Sequence, residues 1–150
     1  MDVLTKEQRR LNMSRIRGRD TKPELLLRRG LHARGYRFRV NVTGLPGRPD
    51  IVFPRYGALI QVNGCFWHGH DCHLFKMPAS RQEFWAEKIS ANRARDQRTD
   101  QALSDAGWRV LTVWECSLKG AKRRQPDEVL AYCETFLRNK TKKIDAIRSS

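Results

Sequence analysis

Cys65, His68, His70, Cys72 and His73 crowd into nine positions, and Cys116 follows much further along the chain. Thiolates and imidazoles are the side chains Zn²⁺ prefers, and a structural site takes four of them tetrahedrally. The stretch 64–79 has few aliphatic residues, so a bound ion would supply order that burial cannot. The expected ligands are Cys65, His70, Cys72 and Cys116. Cys65 lies just past the end of one expected strand and Cys116 just past another, and parallel neighbours in one sheet would bring both thiols to the same edge. His68 is then left as a general base, a role suited to imidazole near neutral pH. Competing arrangements make His68 a ligand itself, or leave the cysteines as buried thiols and the histidines at the surface. Cys133 falls on the apolar face of a helix and reads as core.

Asp50 opens a strand after a Gly/Pro turn, so its carboxylate should project from the strand end. Such an acid can hold Mg²⁺, a hard ion that keeps several waters and bridges to phosphate. Glu24, in the first turn of the preceding helix, offers a second acid. The plain structural alternatives are a turn residue for Asp50 and a cap residue for Glu24. Phe66 and Trp67 lie between the expected ligands, and Trp85 opens the next helix. Flat side chains on a basic surface can push between base steps, at least cost where a pair is already mismatched. Core packing is the alternative for aromatics, but these have few aliphatic neighbours in sequence.

The surface is basic: 30 Lys and Arg against 16 Asp and Glu give 150 residues a formal charge of +14, with a pI near 10.4. A polyanion is the natural partner, because neutralising phosphates releases condensed counterions. A solvated basic face with no such partner is the alternative. Nothing approaches the roughly 18 apolar residues of a membrane span, and no basic amphipathic helix with a broad apolar face stands out. The first residues carry charge with no apolar stretch behind them, so no secretory signal is expected. A reducing cytoplasm is, with thiols or metal ligands favoured over disulfides. At 39% hydrophobic and a mean hydropathy of −0.68, one core is within reach.

Elements must position these groups. Thr5-Lys6-Glu7-Gln8 has capping-box form and opens a short basic arm. Thr21-Lys22-Pro23-Glu24 predicts a helix to about Arg34, stopped by Gly35. Tyr36 to Val42 alternates as a half-buried strand. Asp50 to Phe53 and Ala58 to Asn63, around the turn Pro54-Arg55-Tyr56-Gly57, predict a hairpin. Ser80-Arg81-Gln82-Glu83 is a second capping box, opening a long polar helix to Ala106 with Gly107 as its stop. Trp108 to Trp114 is a strand, and Asp127 to Leu137 a helix burying Val129, Leu130, Cys133, Phe136 and Leu137. The fold class is α/β, a mixed sheet flanked by helices. Residues 1–18 form an arm, 19–138 one domain and 139–150 a flexible basic tail.

Five segments resemble, in order, the very short patch repair endonuclease family. They are Asp20-Thr21-Lys22-Pro23-Glu24, Leu45-Pro46-Gly47-Arg48-Pro49-Asp50, Asn63-Gly64-Cys65-Phe66-Trp67-His68-Gly69-His70-Asp71-Cys72, Phe84-Trp85-Ala86-Glu87-Lys88-Ile89, and Gly107-Trp108-Arg109-Val110 through Trp114-Glu115-Cys116. The resemblance covers about Asn12 to Gly120. It implies a restriction-endonuclease-like core and a Mg²⁺-dependent enzyme that nicks one DNA strand 5′ of the thymine in a T:G mismatch, the product of 5-methylcytosine deamination. It makes Asp50 the metal-binding catalytic acid, His68 the base and Glu24 a supporting acid. Cys65, His70, Cys72 and Cys116 fall on structural zinc ligands, and Phe66, Trp67 and Trp85 on the wedge entering the duplex. Met13 and Ile16 correspond to an arm clasping DNA from the minor-groove side.

The nuclease superfamily usually follows its Pro-Asp with an acid-x-Lys pattern. This chain has Gln61-Val62-Asn63, and the repair family also lacks that pattern. Val62 stands where some members carry Thr, and Asn63 where some carry His. A main-chain carbonyl at Val62 remains able to bind Mg²⁺, whereas Asn63 cannot titrate. Arg48, Lys88 and Asn92 are expected DNA contacts from their neighbourhood. The reading is a monomeric, cytoplasmic, nucleoid-associated enzyme acting on mismatched double-stranded DNA, with mismatch-repair proteins as possible partners. The alternatives are a non-catalytic zinc-stabilised DNA-binding module and a restriction-type nuclease on matched DNA, which needs two active sites.

Overall fold

The computed structural model describes residues 20–150, so Met13, Ile16 and the rest of the arm lie outside the described residues. Helix α1 spans Lys22–Ala33 and begins as the Thr-Lys-Pro-Glu signature predicts: the Thr21 hydroxyl accepts the Glu24 N–H, and proline occupies the first turn, where no amide is missed. Strands β1 (Arg39–Val40), β2 (Ile51–Phe53) and β3 (Ala58–Asn63) follow, then helix α2 (Gln82–Asp105), β4 (Arg109–Trp114), helix α3 (Pro126–Arg138) and β5 (Ile144–Ile147).

The five strands lie in chain order in one mixed sheet. β1, β2 and β3 pair antiparallel, whereas β3, β4 and β5 pair parallel because α2 and α3 carry the chain back across the sheet. Period-two alternation divides the apolar residues between the faces. Ile51, Phe53, Ala58, Ile60, Leu111 and Val113 meet Leu27 and Leu31 of α1 and Val129, Cys133 and Leu137 of α3. Val52, Leu59 and Val110 meet Leu103 of α2 on the other face.

Three sequence expectations change. The Tyr36–Val42 strand shrinks to Arg39–Val40, because Asn41 takes a left-handed φ of 48° and bends the chain. The Ser80 capping box does not form: Arg81 occupies the N-cap with φ 56°, and no side chain caps α2. The tail at 139–150, expected to be flexible, is corrected, since Ile144–Ile147 forms the fifth strand with Ile147 buried. Four residues with a single buried side chain are too short to reveal alternation in the sequence.

Candidate active site

The parallel pairing of β3 and β4 does what the sequence argument required. Asn63 lies opposite Trp114, so the chain leaves both strands at the same edge of the sheet, with Cys65 and Cys116 just beyond. The loop 64–79 crosses that edge, and the ligand atoms of Cys65, His70, Cys72 and Cys116 all lie within 4.8 Å of one another. Cys116 Sγ is 3.6 Å from His70 Nδ1, close to the roughly 3.5 Å edge of a zinc tetrahedron with ordinary bond lengths. The donor set therefore fits a tetrahedral soft ion, and His68 and His73 are not in it. The free thiols form no disulfide. Burial raises the Cys65 thiol pKa, so without a cation its proton stays on. Burial, with Arg148 nearby, lowers His70 and keeps its imidazole neutral, the form a metal needs.

Trp114, at the end of β4, stacks on His70 with ring centroids 4.0 Å apart and 8° between planes, and meets His68 edge-on at 6.1 Å. One rigid indole thus contacts both the histidine inside the Cys/His cluster and the one outside it. His68 Nδ1 is bonded to Asp96 Oδ2. With the proton on Nδ1 the carboxylate accepts it, leaving Nε2 as the basic atom.

Asp96 was not singled out from the sequence. Its signal is a stripe along α2: Ile89, Asn92, Asp96, Asp100 and Leu103 recur at helical spacing, and all are buried or half-buried. Acids on an inward stripe need partners, and Asp96 finds His68. Asp100, one turn on, has a buried Oδ1 without a partner among the described residues. Burial, aided by the charge of Asp96, raises its pKa.

α2 also seats both segments that carry catalytic candidates. Gly69, beside His68, takes φ 61°, and a Cβ there would lie 2.4 Å from Ile89 Cγ2. Gly47, three residues before Asp50, takes φ 74°, and its Cβ would lie 2.3 Å from Thr99 Cγ2. Glycine alone allows both the turn and the approach.

Asp50 is half-buried at the start of β2, its Oδ2 accepting the Val62 N–H at 2.7 Å. Burial, reinforced by the neighbouring charge of Glu24, pushes its pKa to about 7 against the pull of the Val62 amide, Arg28 and His68. Glu24 is only 1% exposed. It accepts from the Asp20 amide at 3.0 Å and from Arg28 Nη2 at 3.0 Å, while burial raises its pKa. Glu24 is therefore part of a helix-start network and also faces the same locale as Asp50.

Phe66, Trp67 and Trp85 meet as one half-exposed cluster, with centroids 5.2 to 5.9 Å apart and Phe75 stacked on Phe66. Asn92 Nδ2 donates to the Trp67 carbonyl at 2.8 Å and pins the loop to α2. Arg48 and Lys88 are exposed.

A sequence model described as DNA mismatch endonuclease Vsr matches residues 1–74. The DNA mismatch endonuclease Vsr of Escherichia coli is 50% identical over 129 residues, covering 86% of this chain and 82% of that protein. The chain belongs to the Vsr DNA mismatch endonuclease family. It is also 51% identical to the Type II nicking enzyme V.XorIIP of Xanthomonas oryzae pv. oryzae over 117 residues, 78% of this chain and 86% of that protein. A Type II nicking enzyme of Neisseria meningitidis, V.NmeAIP, is 41% identical over 118 residues, 79% of this chain and 84% of that protein. As a Vsr-family member the protein is an endonuclease with a restriction-like α/β core. The residues matched by the family model include Glu24, Asp50, Val62, Cys65, His68, His70 and Cys72. Among the described residues, no helix is long and apolar enough to cross a membrane.

Proposed function

We propose that this Vsr-family endonuclease nicks one DNA strand on the 5′ side of the thymine in a T:G mismatch, in a Mg²⁺-dependent reaction. The observation that carries the reading is the meeting of two fixed groups at one sheet edge. Asp50 is held by the Val62 amide, and His68, held by Asp96, is near enough for its charge to act on Asp50.

Asp50 and the Val62 carbonyl would hold Mg²⁺. The fit rests on Asp50 itself: a half-buried carboxylate beside Glu24, with one oxygen tied to an amide, has an electrostatic need for a cation. When bound, the ion supplies charge to the phosphoryl oxygens and the departing 3′ oxygen. His68 Nε2 takes a proton from the attacking water, and Asp96 stabilises the resulting imidazolium through Nδ1–H. Glu24, fixed by Arg28, supports the acidic character of the locale.

Cys65, His70, Cys72 and Cys116 would hold a structural Zn²⁺ that braces the loop. Phe66, Trp67 and Trp85 form the wedge that opens the stack beside the mismatch, and the basic surface, including Arg48, Lys88 and Asn92, contacts the duplex. Base and wedge share one loop, so strand cleavage is coupled to recognition.

The test uses end-labelled duplexes with T:G or matched T:A, with Mg²⁺ or chelator, beside Asp50→Ala. Mg²⁺-dependent single-strand cleavage of T:G alone is expected, and Asp50→Ala abolishes it. Binding without cleavage would make the protein a DNA-binding module. Cleavage of the matched duplex would make it a restriction-type nuclease.

A further inference from the structure

β5 ends beside the metal cluster, and the residues after it are tied to that cluster at two points. Val113 of β4 lies opposite Ile147 of β5. The two strands leave the sheet together, and the chain after β5 reaches Cys116. There the main-chain N–H of Ser149 donates to Cys116 Sγ at 3.3 Å. Ser149 is 9% exposed and Cys116 fully buried. Arg148 Nη2 donates to the carbonyl of Asp71, between ligands His70 and Cys72, and the Arg148 charge acts on His70. These residues are themselves anchored: Arg124 Nε donates to the Arg148 carbonyl at 2.6 Å, and Ser150 N donates to the Lys122 carbonyl at 3.1 Å.

Three thiolates and a neutral imidazole around a divalent ion carry a net charge of −3 + 2 = −1 in a largely buried place. Donors aimed at the sulfur, and a guanidinium close by, offset that charge, and such outer contacts govern how tightly an ion is kept.

We propose that Ser149 and Arg148 are positioning residues of the metal site, the Ser149 amide stabilising the Cys116 thiolate and Arg148 securing the ligand loop, so that β5 sets how tightly the ion is retained. The proposal rests on reading the four-residue cluster as a zinc site. The Ser149 side chain has no part in it, only its amide.

The test compares zinc affinity by competition with a chromogenic chelator in the full-length wild type, Ser149→Ala, Ser149→Pro, Arg148→Gln and a semisynthetic protein with an ester replacing the Ser149 amide. The proline and ester forms should bind zinc at least about tenfold more weakly, Arg148→Gln should also weaken it, and Ser149→Ala should match wild type. With cobalt(II) in the site, the thiolate-to-metal charge-transfer band should move to lower energy in the proline and ester forms, a change that looser packing alone would not produce. Wild-type affinity and an unshifted band in both forms overturn the proposal and leave the zinc reading intact, as does an equal loss in Ser149→Ala. A wild-type protein that binds no zinc overturns both.

Discussion

His68 of the irregular loop and Asp96 of α2 form an imidazole–carboxylate pair across 28 residues of sequence. The pair fixes which nitrogen of His68 carries the proton, and so which one can accept another.

Replacing Asp96 with Asn removes the charge and leaves the wrong tautomer accessible. Nicking of the mismatched duplex should fall by about 10²–10⁴-fold, mainly in kcat, with DNA binding in a gel-shift assay preserved. A fall in affinity with unchanged kcat would place Asp96 on the DNA-binding side instead.

The raised pKa of Asp50 makes an acid-to-amide change stabilising. Below its ordinary pKa of 3.8 the carboxyl is neutral in both folded and unfolded chains; between 3.8 and about 7 the unfolded chain ionises first, and folding loses stability as pH rises. In metal-free protein, Asp50→Asn should therefore gain stability over wild type progressively from pH 4 to pH 7, reaching roughly 4 kcal/mol and levelling above. Denaturant melts at pH 4, 6 and 8 measure it, and a constant difference across them would contradict the assignment. Saturating Mg²⁺ should narrow the gap at pH 8 by stabilising the wild type.

Gly57 and Gly69 share a left-handed backbone, at φ 59° and 61°, but differ in space: no atom lies within 4 Å of a Cβ at Gly57, whereas Ile89 blocks one at Gly69. Gly57→Ala should cost only the conformational strain of about 1–2 kcal/mol. Gly69→Ala should add about 1–3 kcal/mol of overpacking and displace the His68 loop. Nicking should survive the first change and drop in the second, with partial recovery when Ile89 is also shortened to Val.

Cys72 is the half-buried member of the thiol set, so Cys72→Ala leaves little cavity while removing one ligand. The variant should lose its zinc, lower its Tm and expose the loop to trypsin at Lys76. Chelator treatment of wild type should reproduce all three effects and change the variant no further.

Trp67→Ala should reduce nicking of T:G duplexes by about 10–100-fold, the equivalent of one lost stacking contact of about 1–3 kcal/mol. Asn92→Leu, which releases the Trp67 carbonyl, should act in the same direction with a smaller effect. Unaltered mismatch discrimination in both would remove the wedge from the reading.

The sequence determined much of this protein by local means. Thr21, Pro23 and Glu24 mark a helix start through capping chemistry, the Pro54–Gly57 turn between two apolar runs predicts β2 and β3 as a hairpin, and β-branched and aromatic residues predict β4. The Cys/His spacing points to a soft-metal cluster wherever the chain goes. The placement of Cys65 and Cys116 needed one further assumption, parallel strands, which the pairing of β3 with β4 satisfies. Tertiary structure alone decided the rest, because those contacts join residues distant in sequence. Asp96 is one polar residue among many on a helix with charges all round, and only docking of α2 against the loop selects it as the partner of His68. β5 carries one buried residue and no readable period, so pairing with β4, not propensity, makes it a strand and brings the Ser149 amide to Cys116. The pKa of Asp50 is likewise a property of the folded chain, since burial and the nearness of Glu24 exist only after α1 packs against the sheet.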